Sequence, residues 1–255
     1  AGPLFVASLA FTAFGAALVT LAGLPAPQSL TLFFGVVALN SLTRDLIDDN
    51  GAAIWERGES PWVANRRTAL GLVALFAGML VVFVALAAWQ QRAGGPGPDL
   101  VGGARGILDR RFDAGVGALL SHNLVTLAVL MLVGFVYRTY GALLALGWNA
   151  AHWATVLTIL VLRGLPDSDA HPVVFVTVSA AAVLPHLLAE AAAYVVGTLG
   201  AIFASRAITR YAASDPRLGR VLRAVLTLVA VAAALLILAA VVEQNVPRRV
   251  LDLLR

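Results

Sequence analysis

The chain contains no cysteine. That excludes a disulfide, a thiol nucleophile and any cysteine metal ligand, and it leaves the redox compartment unmarked. Lysine is also absent, so all 18 basic residues are arginine. Charge of either sign is scarce. Asp, Glu, Lys and Arg together make up 13% of the 255 residues, where an ordinary soluble domain carries about 25%. So few charges do not cover a water-facing surface. The net charge of +4 is spread over the connectors and forms no single basic block, which argues against a nucleic-acid partner. No HExxH metalloprotease signature is present, and no arrangement marks a serine nucleophile.

What fills the chain instead is apolar. Hydrophobic residues make up 60%, and the mean hydropathy is +0.88. The apolar runs cover residues 3–24, 29–43, 68–90, 115–137, 141–162, 172–205 and 221–242. Crossing about 30 Å of hydrocarbon takes about 20 such residues. The runs do not alternate as barrel strands would. The expected fold is all-α: one membrane-embedded domain over 1–255, a polytopic bundle of six to seven spans. The first run lacks a basic leader and is too long for a signal-peptide core, so it reads as a retained helix. "LPAPQS" at 24–29 reads as a tight turn. Residues 43–67, with four arginines and five acidic residues, read as a polar connector that forms an interfacial helix of its own, Trp55 and Trp62 lying at headgroup level. Residues 90–106 read as a glycine-rich loop, and 107–120 as an amphipathic surface segment. No internal repeat stands out.

Connector 206–223 holds Arg206, Arg210, Arg217, Arg220 and Arg223 against Asp215 alone. The positive-inside tendency places it in the cytoplasm of a cell membrane, and alternation then places 44–67 and Arg138 there too.

The run from Pro172 to Ser205 contains "VLPHLLAE", which brings His186 and Glu190 into a stretch whose only other ionisable side chain is Tyr194. Such groups at membrane depth are expensive and generally have a task. As one helix the run would reach about 50 Å. Pro185 is therefore expected to break it, leaving a short re-entrant or interfacial piece before a span that begins near His186. His186, Glu190, Ala193, Gly197, Ala201 and Ala204 recur every three or four residues and share one face. Ala193, Gly197 and Ala201 are spaced for close helix approach, so this face is expected to point into the bundle.

His122 and Asn123 open one span, and Asn149 and His152 share a face of the next. If these converge on His186 and Glu190, two chemistries fit. His186, Glu190 and His122 suit a zinc-like divalent ion with a position left to water. Alternatively, Glu190 acts as a general base with His186 beside it, the remaining residues binding. A third reading is a hydrogen bond that joins helices. His171, before Pro172, reads as a wetted loop residue.

"LLSHNLVTLAVLMLVGFVYRTYGALLALGWNAA" carries Asn123, Gly134, Gly141 and Asn149, and "VLPHLLAEAAAYVVGTLGAIFAS" carries Pro185, His186, Glu190, Gly197 and Gly200. On these residues the chain resembles the stage II sporulation protein M family of integral membrane proteins, over a core at 105–206. The Pro-His-x-x-x-Glu element is the most specific part. Leu187 stands where that family usually has glycine, and Ala150 where a glycine is common. The resemblance implies a multi-pass protein that anchors and localises cell-wall-remodelling partners, as the family member of spore formers does during engulfment.

The leading expectation is thus an integral membrane scaffold that assembles an envelope or peptidoglycan-remodelling complex. The lipid bilayer, other membrane proteins and a second copy of the chain are its candidate partners. The alternatives are an intramembrane metal- or glutamate-dependent hydrolase centred on His186 and Glu190, and a proton-coupled transporter built on a Pro185-broken helix.

Overall fold

The computed structural model describes residues 1–55, 57–92, 115–166 and 168–251. Seven helices account for most of them, and among the described residues there is no strand. They are α1 (Gly2–Leu21), α2 (Pro27–Trp55), α3 (Pro61–Arg92), α4 (Val116–Tyr137), α5 (Thr139–Gly164), α6 (Pro172–Arg210) and α7 (Pro216–Leu251). All seven are long and apolar enough to cross a membrane, compatible with a multi-pass integral membrane protein. Proline opens α2, α3, α6 and α7. Its fixed φ suits the first helical turn, where its missing N–H has no partner to lose. The 93–106 part of the expected loop, and residues 107–114 of the expected surface segment, lie outside the described residues.

The chain divides into two compact units. One comprises Ala1–Gly102 with Leu146–Thr155, and the other Gly103–Ala145 with Val156–Arg255. The middle of α5 thus belongs to the first unit and its two ends to the second.

In the first unit α1, α2 and α3 pack on one another. The buried stripe of α1 is Ser8, Thr12, Gly15 and Val19, while Phe11, Phe14 and Leu18 are exposed. Small and polar residues inside with large apolar ones outside is an arrangement that lipid tolerates and water does not. Gly78 shows how close the helices come. A Cβ there would stand 2.8 Å from Leu9 N and Phe5 O. Ser8 Oγ donates to the Leu75 carbonyl at 2.6 Å across the same contact. Ser8→Ala is expected to lower stability by about 1 kcal/mol, between the average of about 0.6 and the maximum of about 1.7 for interhelical hydrogen bonds in membrane proteins, read as the thermal unfolding midpoint in detergent. A midpoint equal to wild type would show that this bond contributes nothing.

The polar stretch 43–67 is not a separate connector helix. Its first part continues α2 to Trp55 and its last part opens α3 at Pro61. The two ends are tied by Asn50 Nδ2 donating to Asn65 Oδ1 at 3.1 Å. Arg57 pairs with Asp49 at 2.9 Å and with Glu59 at 3.1 Å, and Arg67 pairs with Glu59 at 3.1 Å. These carboxylates hold the Arg57 guanidinium pKa above its ordinary value, Asp49 most strongly. Backbone hydrogen bonding carries a helix through residues whose composition alone reads as surface. The side chains of Trp55 and Trp62 lie outside the described ones.

In the second unit α6 packs most extensively on α7, and α4 packs on both. Its core gathers Leu127 and Leu130 of α4, Ala145 of α5, Ala193 and Tyr194 of α6, and Ala232 and Leu236 of α7. A single residue, Arg138, joins α4 to α5, at φ 53° and ψ −118°. The expected break at Pro185 is absent: α6 is one helix from Pro172 to Arg210 with Pro185 inside it. Proline removes one backbone hydrogen bond and crowds the carbonyl four residues back. In lipid, ending the helix would leave more backbone groups without partners, so carrying on through the proline is the lesser penalty. His171 caps this helix, its Nδ1 accepting from Val173 N at 3.3 Å.

Candidate functional site: a buried Asn–Glu tie beside His186

α4 and α6 run parallel and meet along their whole contact. Asn123 lies by Glu190, Leu127 and Met131 by Gly197, Gly134 by Thr198, and Arg138 by Ser205 and Thr209. Small residues allow this approach. A Cβ on Gly197 would fall 2.5 Å from Leu127 Cδ1, and one on Gly134 would fall 2.6 Å from Thr198 Cγ2. Gly200 has no such demand. A Cβ there would make ordinary contact with Leu228 at 3.5 Å.

At one end of the contact Asn123 Nδ2 donates to Glu190 Oε1 at 2.7 Å. Asn123 is 2% exposed, Glu190 3% and His186 5%. His186 precedes Glu190 by one turn, so both lie on the buried face anticipated from their spacing. Ala193, Gly197 and Ala201 are buried on it too, while Ala204 is only half-buried. A carboxyl in so apolar a place needs hydrogen-bond partners to be tolerated, and the Asn123 amide supplies one.

His122 does not share this surroundings. Neighbouring residues on a helix point about 100° apart, so turning Asn123 inward leaves His122 exposed. Asn149 is buried and His152 half-buried, both in the stretch of α5 that belongs to the first unit. Among the described residues no group of three or more His, Cys, Asp or Glu side chains is arranged to hold a metal ion. The trio His122, His186 and Glu190, expected as metal ligands, therefore does not form such a group.

Two residues gain importance that their sequence context hid. Glu243 is a second buried carboxylate, on α7. The signal for it was slight, a glutamate directly after the last apolar run. Arg138 reads in the sequence as one more loop arginine. In the structure its Nε reaches Ser205 Oγ at 3.5 Å and its Nη2 reaches Thr209 Oγ1 at 3.3 Å, closing the far end of the α4–α6 contact.

The arrangement can join two helices firmly, and it can hold a protonatable group out of water. No protein-family model, no curated protein and no solved structure matches this chain.

Proposed function

We propose that this protein is an integral scaffold of the cell membrane that holds together an envelope- or peptidoglycan-remodelling complex, the role implied by its resemblance to the stage II sporulation protein M family. One observation carries the reading: the Glu190 carboxyl accepts a hydrogen bond from Asn123 across two parallel, closely approaching helices. Glu190, the last residue of the motif most specific to the resemblance, thus joins two helices in this reading. The connector 206–223 lies on the cytoplasmic side in this reading. Its arginine excess supports that, as does the contact of Arg138 with the end of α6, which puts this further arginine at the same face.

The test uses the tagged full chain in its native host. Cross-linking in living cells should enrich cell-wall hydrolases or synthases over an unrelated multi-pass control protein. Glu190→Gln retains an acceptor for the Asn123 amide, so a scaffold carrying it should fold and restore function in a deletion strain. A folded Glu190→Gln protein that fails to complement would replace the scaffold with a hydrolase or proton carrier. Capture no better than the control would remove the envelope role.

A further inference from the structure

The end of the second unit where α4, α6 and α7 meet the connectors is strongly basic. Arg138 reaches over to Ser205 and Thr209, which brings it beside Arg206 and Arg210 on the last turns of α6. Arg210 and Arg217 both lie over the Tyr211 ring, their guanidinium carbons 5.9 and 5.0 Å from its centroid. Arg220 and Arg223 follow on the first turns of α7, Arg223 turning back to the Gly219 carbonyl. Asp215 is the one acidic residue of this stretch. It is engaged by Arg217, with Nη2 to Oδ2 at 2.9 Å, which holds its carboxyl below the usual carboxylate range. Arg138, Arg210, Arg217, Arg220 and Arg223 are all exposed.

Three further features bear on what such a surface meets. Tyr137 and Tyr140 flank Arg138 and are exposed, the arrangement of aromatic residues at headgroup depth. Ile208 and Leu222 are exposed apolar side chains interleaved with the arginines. Arg138 also occupies a left-handed φ of 53°, which an L side chain adopts at a penalty, and such strain concentrates at functional positions. Basic groups beside aromatic and aliphatic ones, at the end of membrane-crossing helices, match a ligand that is anionic at its head and apolar behind it.

We propose that this surface binds the phosphate-bearing headgroups of anionic phospholipids, with Arg138, Arg210, Arg220 and Arg223 as the principal contacts. Arginine suits the task because its planar fork grips phosphate oxygens in pairs. The lipid is drawn from the surrounding leaflet, so the protein carries a selective annulus at this one face. The inference rests on the chain's crossing the membrane and is independent of the scaffold role.

The test is lipid competition on the purified, delipidated full chain in detergent, with phosphatidylglycerol and phosphatidylcholine offered together and the retained lipid counted by native mass spectrometry. Wild type should retain phosphatidylglycerol in preference by about tenfold or more, since each arginine near an anionic headgroup is worth about fivefold. The triple variant Arg210→Gln, Arg220→Gln, Arg223→Gln should lose most of that preference while keeping its thermal unfolding midpoint. Arg138→Gly supplies a second arm, because glycine accepts the left-handed φ while the guanidinium is gone. It should fold and show a weaker preference. Equal retention of both lipids by wild type would overturn the proposal, as would a preference that survives in both folded variants. Displacement of phosphatidylglycerol by inorganic phosphate or by an acidic peptide would also overturn it, assigning the patch to a soluble anion.

Discussion

Gly141→Ala is expected to lower stability by about 3 kcal/mol, the largest effect of any single methyl group added to the described helices. Overpacking commonly costs about 1–3 kcal/mol, and more where nothing yields. Here little can yield. The new Cβ would stand 2.5 Å from Gly134 Cα, 2.6 Å from Val133 O and 2.7 Å from Gly134 N. All three are backbone atoms, so no flexible side-chain end can swing aside. The helices cannot easily part either, because Arg138 alone links α4 to α5. Gly200→Ala is the matched control, since its Cβ meets only side-chain atoms at 3.5 Å or more. It should be nearly neutral, or slightly stabilising through helix propensity. Thermal unfolding in one detergent compares the two directly, and similar losses for both would show that the close crossing is not there.

Asn123→Ala is expected to cost about 2 kcal/mol. Interhelical hydrogen bonds in membranes average about 0.6 kcal/mol and reach about 1.7. To that is added the penalty of a buried carboxyl deprived of a donor, about 1–3 kcal/mol in mutational data. Together they give about 1.6–4.7 kcal/mol, and the value expected here lies toward the lower end. Glu190→Gln should retain most of the stability, since the amide still accepts from Asn123 Nδ2. A double-mutant cycle over Asn123→Ala and Glu190→Ala isolates the pair. Its coupling energy should be about 1 kcal/mol or larger, because both side chains are buried and their atoms are 2.7 Å apart. Additive single losses would mean that the tie does not hold α4 to α6, and the reading of Glu190 as a joining residue would go with it.

These two experiments probe features of unequal visibility in the sequence. Glu190 announced itself, because a carboxylate in an apolar run has few harmless explanations. Gly141 did not. Glycine recurs through the chain, and nothing in the letters separates Gly141, wedged on another backbone, from Gly200, which has room. Crossing distance is a property of two helices, and one segment of sequence does not contain it.

The same division runs through the fold. The scarcity of charge and the length of the apolar runs determined the all-helical, multi-pass architecture, because hydrocarbon leaves backbone groups no partner but one another. The seven apolar runs correspond to the seven helices. Spacing within α6 alone determined that His186, Glu190, Ala193, Gly197 and Ala201 would share a face. Two local rules were overruled. Proline at 185 did not end α6, and the polar residues 43–55 did not leave α2. In both places continued helical hydrogen bonding outweighed a residue's own preference.

Only the tertiary structure decided which polar residues meet. In a soluble helix the apolar stripe marks the inward side. In lipid the outward side is just as apolar, as Leu124, Val125 and Val129 of α4 show, so that guide vanishes. His122 and Asn123 are equally plausible inward residues on sequence grounds. The parallel register of α4 against α6 turned Asn123 to Glu190 and left His122 outside. The register also brought Arg138 to Thr209, adding one arginine to a basic segment that lies far from it in the chain. The sequence by itself determined that there would be spans and which polar groups they would carry. The packing of one span on another decided which of those groups became partners, because that depends on how closely the small residues let two helices approach.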